Sequence, residues 1–501
     1  MTNPLFDALF ARHQLRETTF LILPDGRRTS RAAFHGEILR MARALQAAGL
    51  KPGDRLAMQV AKSPAALALV AAAIRQGVVF LPLNTAYTPA EVGYFTADSG
   101  AGLLVCDPVD AEALAGLAPN LLTLDAEGQG SLSALGDGPG DPPPPAARKD
   151  DDLAALLYTS GTTGRSKGAM LSQRNLLSNA EVLVEAWRFT ERDVLLHALP
   201  IYHTHGLFVA VNVALLAGCP MIFLPRFDVD SVLRWIPEAT AMMGVPTFYT
   251  RLLDDPRLTR ESVQHMRLFI SGSAPLLAET HRSWEARTGQ KILERYGMTE
   301  TNMNTSNPYD GERRPGTVGL PLAGVEVRIC DEAGRDLPAG ETGMIEVRGP
   351  NVFSGYWNMP DKTREELRPS GFFITGDLGV RDRDGYVTIV GRAKDLIISG
   401  GLNIYPKEVE MAIDAQPGVL ESAVFGVPHP DFGEAVVAAV VPDRQAELSG
   451  DLLAGTLALQ LAAFKRPKRI LIVPELPRNA MGKVQKAVLR REHAGMFTPT
   501  G

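Results

Sequence analysis

At 501 residues the chain is too long for one compact core, and ordinary domain sizes divide it into roughly two to four units. Its 45% hydrophobic and 22% charged residues describe a globular protein, and a net charge of −6 excludes a general affinity for nucleic acid or for anionic membrane. No apolar run reaches the length of a membrane span, the first residues lack the pattern of a secretion signal, and Cys106, Cys219 and Cys330 show no metal-ligand spacing, so the chain reads as a cytoplasmic protein with reduced core thiols.

Taken in order, the spacing of apolar residues predicts a helix over Arg31–Leu50 and a strand over Arg55–Val60. A second helix over Ser63–Gln76 and a strand over Gly77–Leu83 follow. This alternation predicts a parallel sheet covered by helices. Four prolines at 142 to 145 make Gly136–Asp150 a connector that is neither helix nor central strand.

The apolar run Leu153–Tyr158 then reads as a buried strand leading into Thr159-Ser-Gly-Thr-Thr-Gly-Arg-Ser-Lys-Gly168. Glycines at 161, 164 and 168 let successive N–H groups turn inward, hydroxyls add uncharged donors, and Arg165 and Lys167 bring positive charge, so the loop suits phosphate. It fails the Walker spacing, because Gly168 follows Lys167 where that motif requires Ser or Thr. Ser172 is placed to cap a helix running to about Trp187. Leu195-His-Ala-Leu-Pro-Ile-Tyr-His-Thr-His-Gly206 reads as a strand ending in a polar aromatic cluster, in which His203 is a structural histidine. Strands at Met221–Pro225, Ala241–Val245 and Met266–Ser271 complete a second α/β block, and short runs from Thr317 to Val352 predict a small antiparallel or barrel unit. The last 40 residues hold nine basic and two acidic side chains, a solvated face or a surface that meets polyanionic ligands.

The order Thr-Ser-Gly-Thr-Thr-Gly-x-x-Lys-Gly resembles the AMP-binding signature of the adenylate-forming enzymes, the family of acyl-CoA synthetases, adenylation domains and luciferases. Four later motifs recur in that family's order and approximate spacing: Glu294-Arg-Tyr-Gly-Met-Thr-Glu-Thr301 behind Ser271-Gly-Ser-Ala-Pro-Leu276, Gly371-Phe-Phe-Ile-Thr-Gly-Asp-Leu378, Gly385 to Tyr405, and Pro477 to Lys486. The resemblance implies an α/β fold: a large N-terminal ATP- and acyl-binding domain, 1–391, made of two αβ subdomains with parallel-type sheets plus a small β-barrel, and a smaller mobile α+β C-terminal domain, 392–501.

It also implies site residues. Thr159, Ser160, Gly161, Thr162, Thr163, Gly164 and Lys167 would hold the departing phosphates. Ser273, Ala274, Pro275, Glu294, Tyr296, Gly297 and Met298 would line the adenine side, with Thr299 near the α-phosphate and Glu300 as the carboxylate for Mg²⁺. Asp377 and Arg392 would contact ribose, Lys394 would be the hinge, Gly400 and Gly401 would let coenzyme A pass, and Lys483 would be the catalytic lysine. The implied reaction is attack of a carboxylate on the α-phosphorus of ATP, loss of pyrophosphate, and capture of the acyl-adenylate by the thiol of coenzyme A. Lys483 would serve the first step and obstruct the second, so the small domain would swing.

Three strings, around Leu199–Phe208, Arg267–Leu276 and Tyr296–Tyr309, look closest to the malonate-activating branch. Ser271, His205 and Arg282 are therefore expected to bind a small dicarboxylate, malonate or methylmalonate, because a second buried carboxylate needs a fixed cation. A ligase for another short or aryl acid, an adenylation module loading a carrier protein, and an inactive nucleotide-binding relative are the alternatives. The expected partners are small molecules only, with no nucleic acid and no membrane span, and the chain is a monomer or a homodimer.

Overall fold

The computed structural model describes residues 2–159, 166–399, 402–430, 432–443, 448–461, 463–479 and 482–497. The chain forms two compact units, Met1–Val327 with Val347–Phe373, and Arg328–Glu346 with Ile374–Gly501.

Among the described residues the first unit contains two sheets. In one, the strands run Asn120–Thr123, Leu103–Cys106, Arg55–Gln59, Val79–Pro82, Leu153–Thr159, Lys167–Ser172. All neighbours are parallel except the last pair. The other sheet runs Leu320–Pro321, Asn302–Ser306, Leu293–Met298, Leu268–Ser271, Ala241–Gly244, Leu195–His197, Met221–Phe223, Thr19–Ile22, Arg28–Ser30. Its inner strands are parallel and its edges antiparallel. Inner strands such as Leu268–Ser271 and Ala241–Gly244 are buried at every position, as expected where both faces of a parallel sheet are covered.

Local signals explain the helices. Ser63 accepts from the Ala66 N–H and Pro64 follows it, so the helix Pro64–Gln76 starts where the sequence reading has it; Gly77, at φ +66°, ends it. Residues 65–75 of this Ala-rich helix are all buried, a pattern that small side chains permit. Ser172 and Asn175 form a reciprocal cap on the helix Gln173–Ala186. The proline segment has no regular structure, but it packs: the Ala146 N–H donates to Arg75 O at 2.9 Å, and the Arg75 guanidinium donates to Pro143 O.

Glu326–Cys330, Thr342–Arg348, Phe373–Arg381 and Val387–Arg392, most of whose residues belong to the second unit, lie side by side in that order. A second sheet runs Leu402–Ile404, Ile397–Ser399, Gly433–Pro442, Val419–His429, with Arg469–Ile472 added parallel to Gly433–Pro442. The central strand illustrates the period of two. Val436, Ala438 and Val440 pack with Val409, Ile413 and Leu457 on one face, while Val437, Ala439 and Val441 pack with Leu476 and Leu489 on the other.

Candidate active site

The C-terminal end of Leu268–Ser271 and the first residues of Leu293–Met298 bring one polar cluster together. Leu293–Arg295 is buried throughout and carries two adjacent opposite charges, so the alternation of a strand sends them to opposite faces. Glu294 meets His281 Nδ1 at 3.2 Å and accepts from the Gly316 N–H at 3.3 Å, so this expected ATP contact is engaged with protein. Arg295 goes the other way: a Cβ on Gly272 would run into its guanidinium, which is why that turn carries glycine. Burial lowers the pKa of Arg295 to about 9, with Tyr249 pulling it back up. At neutral pH it is a buried cation whose Nε and Nη2 have no partner among the described residues.

His205 shares this cluster. Its Nδ1 lies 3.2 Å from Ser273 Oγ, its Nε2 has no partner among the described residues, and Ser271 Oγ is likewise buried and unpartnered. Burial, and then Arg295, His203 and His197, hold its pKa well below the usual value, so the ring is neutral. Ser273 adopts φ +72°, in the left-handed region that non-glycine residues rarely occupy. Ala274 is half-buried and Pro275 exposed just beyond it. Arg282, expected beside His205, is elsewhere: it lies on the helix Ala278–Thr288 with 62% of its side chain exposed, paired at 3.0 Å with Glu279 one turn earlier.

A second cluster surrounds Glu300. The hairpin of Leu293–Met298 and Asn302–Ser306 turns through Thr299–Thr301. Gly297 is required there, because a Cβ would run into Asn302 O. The buried Glu300 carboxylate is 3.4 Å from Thr159 Oγ1 and 3.1 Å from the Tyr356 hydroxyl. The same hydroxyl lies 2.6 Å from Glu366 Oε2 and accepts from Lys167 Nζ at 3.0 Å. Lys167 in turn pairs with Glu366 at 3.1 Å and sits 4.0 Å from the centre of the Tyr356 ring. Burial would raise the Glu366 pKa, but bonds from Tyr356, Lys362 and Lys167 outweigh it and hold it low. Tyr296 is buried nearby, its hydroxyl 4.0 Å from Met298 Sδ. Ser160, Gly161, Thr162, Thr163 and Gly164 lie outside the described residues.

The second unit holds the other expected residues. Asp377 and Arg392 face each other across antiparallel strands and pair at 2.7 Å, and the Asp377 N–H donates to Thr375 Oγ1. Lys394 is exposed on a single 3₁₀ turn, where its carbonyl accepts from Arg490. Lys483 sits on a turn closed by Asn479 through the Lys483 N–H to Asn479 Oδ1, at 2.9 Å. Desolvation, then Arg392 and Lys394, less the opposing pull of Asp377 and Asp395, lowers its pKa to about 8. Lys483 is exposed and stands among the cations Arg392 and Lys394. Gly400 and Gly401 lie outside the described residues.

Sequence reasoning missed Arg295, Tyr356 and Glu366. Adjacent opposite charges in a strand that follows a buried run could have flagged Arg295. Tyr356 and Glu366 carry no such signal: they stand 189 and 199 residues from Lys167, and only folding joins them.

The first unit thus holds one polar cluster around Arg295 and His205 and a second, hydroxyl- and lysine-bearing cluster around Glu300. The chain belongs to the AMP-binding enzyme family, whose model matches residues 9–357, and the family's C-terminal domain matches 408–483. It is therefore an AMP-forming acid–thiol ligase, with ATP and coenzyme A as substrates.

The ATP-bound crystal structure of MatB from Rhodopseudomonas palustris superposes with a TM-score of 0.97 at 56% identity, covering 99% of this chain and 100% of that one. A feruloyl-CoA synthase from Amycolatopsis sp is 38% identical over 91% of this chain and 92% of its own length. A malonate–CoA ligase from Arabidopsis thaliana is 35% identical over 83% and 74%.

The donor set near Glu300 suits the Mg²⁺ that accompanies the nucleotide. One carboxylate flanked by hydroxyls supplies the one or two protein oxygens that Mg²⁺ accepts when phosphate and water provide the rest. No helix among the described residues is long and apolar enough to cross a membrane.

Proposed function

We propose that the protein is a malonate–CoA ligase, converting malonate, ATP and coenzyme A to malonyl-CoA, AMP and pyrophosphate, with methylmalonate as a second substrate. The observation that carries this reading is the buried Arg295, whose Nε and Nη2 are left without partners beside Ser271 and His205. An uncompensated buried guanidinium is costly, and a ligand carboxylate offsets that cost with charge-assisted hydrogen bonds. In this reading Arg295 takes the distal-carboxylate role expected of Arg282, and the neutral His205 and Ser271 contact the same acid. Similarity to the malonate–CoA ligase and to MatB supports it.

The reacting carboxylate attacks the α-phosphorus, Lys483 stabilises the charge that develops there, and Lys167 with the loop before it holds the departing pyrophosphate. Glu300 and Thr299 hold the nucleotide's metal and α-phosphate, and Asp377 and Arg392 hold the ribose. The thiol of coenzyme A then displaces AMP, after the domain 392–501, which carries Lys483, turns about Lys394. The domains are taken as 1–391 and 392–501.

The feruloyl-CoA synthase relative supports a second reading, a ligase for an aryl acid. Pyrophosphate exchange across a panel of mono- and dicarboxylic acids separates the two. Malonate should exceed monocarboxylates in kcat/KM by about a hundredfold or more in the native enzyme, and Arg295→Leu should erase that margin, as expected when a buried donor loses its acceptor. Preference for an aryl or simple aliphatic acid would overturn the malonate reading.

A further inference from the structure

Half-buried Lys62 and buried His197 form a polar pair that the reaction described above does not use. Lys62 follows the strand Arg55–Gln59 of the six-stranded sheet and immediately precedes the cap of Pro64–Gln76. His197 ends the strand Leu195–His197 of the nine-stranded sheet. His197 Nε2 lies 2.9 Å from Gly206 O. A carbonyl has no proton to give, so Nε2 carries the hydrogen and Nδ1 is the acceptor. Lys62 Nζ donates to that Nδ1 at 2.7 Å and to His197 O at 2.9 Å, and it stands 4.3 Å from the centre of the Phe223 ring. These partners are all neutral. Burial drives the Lys62 pKa well below that of an ordinary lysine, and burial together with Lys62 lowers that of His197.

The acceptor at the end of this chain is the residue after His205. Gly206 tolerates no side chain, because a Cβ would run into Pro200 O. The loop is thus pressed against Gly206 from one side while His197 holds its carbonyl from the other. His205–Val211 continues as a π-helical segment, a form with strained spacing that neighbouring contacts must maintain. Among the described residues the His205 ring meets only Ser273, so its aim depends on the backbone beneath it.

We propose that Lys62 and His197 are positioning residues for the acyl site: the hydrogen-bonded chain from Lys62 through His197 to Gly206 O fixes the turn that directs His205 toward the acid. Neither side chain touches substrate. The inference rests on His205 forming part of the acyl pocket, but not on the acid being malonate.

The test compares Lys62→Met, His197→Leu and His197→Gln in pyrophosphate exchange, with whichever acid the native enzyme uses best. In Lys62→Met and His197→Leu the KM for the acid should rise about tenfold while the KM for ATP stays within about twofold, the effect of losing one ordinary hydrogen bond on one substrate only. His197→Gln should restore most of the loss, because its amide can donate to Gly206 O and accept from Lys62. Lys62→Met keeps an unbranched stem against Phe223, so its KM split stands even if His197→Leu fails to fold. An unchanged acid KM in Lys62→Met, a parallel rise of both KM values, or a His197→Gln variant no better than His197→Leu at equal melting temperature would overturn the proposal. A native enzyme that prefers another acid would sink the malonate reading and leave this contrast intact.

Discussion

The two polar clusters of the first unit handle buried charge in opposite ways. Around Arg295, donors point at one another's neighbourhood without acceptors: two guanidinium nitrogens, His205 Nε2 and Ser271 Oγ have no partner among the described residues. Around Lys167, the cation is paired with Glu366, shares the Tyr356 hydroxyl, and is linked through it to Glu300. Under the proposed function, the first cluster receives a ligand that brings its own negative charge and stays until chemistry is done. Under the same proposal the second releases a pyrophosphate, and a lysine already balanced by a carboxylate gives up a leaving anion more readily than a bare one.

Lys483 bears on the comparison as a third cation, without an ion pair among the described residues and under the electrostatic influence of both Arg392 and Asp377. Lys483→Ala should have the largest effect. Adenylation should fall by about 10²–10³ in kcat, the loss typical of removing one transition-state donor, while thioester formation from supplied acyl-adenylate persists. Equal loss of both half-reactions, measured as pyrophosphate exchange and thioester yield, would remove the lysine from this role. Its pKa of about 8 adds a pH signature. Below that value the ammonium is charged and competent, and above it the charge is lost, so kcat/KM for adenylation should decline as pH rises through about 8 in the native enzyme.

Tyr356→Phe tests the balanced cluster at intermediate strength. It removes the hydroxyl shared by Lys167, Glu366 and Glu300 and should reduce adenylation about tenfold, with the Mg²⁺ requirement shifted upward and the acid KM unchanged. A change confined to the acid KM would erase the distinction between the clusters. The smallest effect is expected from Arg282→Ala. An exposed i,i+3 pair with Glu279 contributes little, so activity and acid KM should stay within about twofold of native; a dicarboxylate-specific loss would return Arg282 to the substrate.

Much of the fold was legible. The helix starting after Ser63 and the one after Ser172 follow from caps and apolar spacing, and the parallel sheets follow from the alternation of buried strands with helices. The exposure of Arg282 was not legible, because which face of Ala278–Thr288 it occupies depends on the packing of Trp284 and His281 into the core.

Local signals, read along the chain, determined where strands and helices begin, which loop suits phosphate, and which residues carry the family's motifs, because caps, glycines and apolar periods act over a few residues. Tertiary structure alone decided which charges are neutralised and which are left waiting. Lys167 meets Glu366, Arg295 turns toward His205, and Lys62 reaches His197 across two sheets. Those pairings join residues far apart in sequence, and burial, which sets their energies, exists only once the sheets have packed.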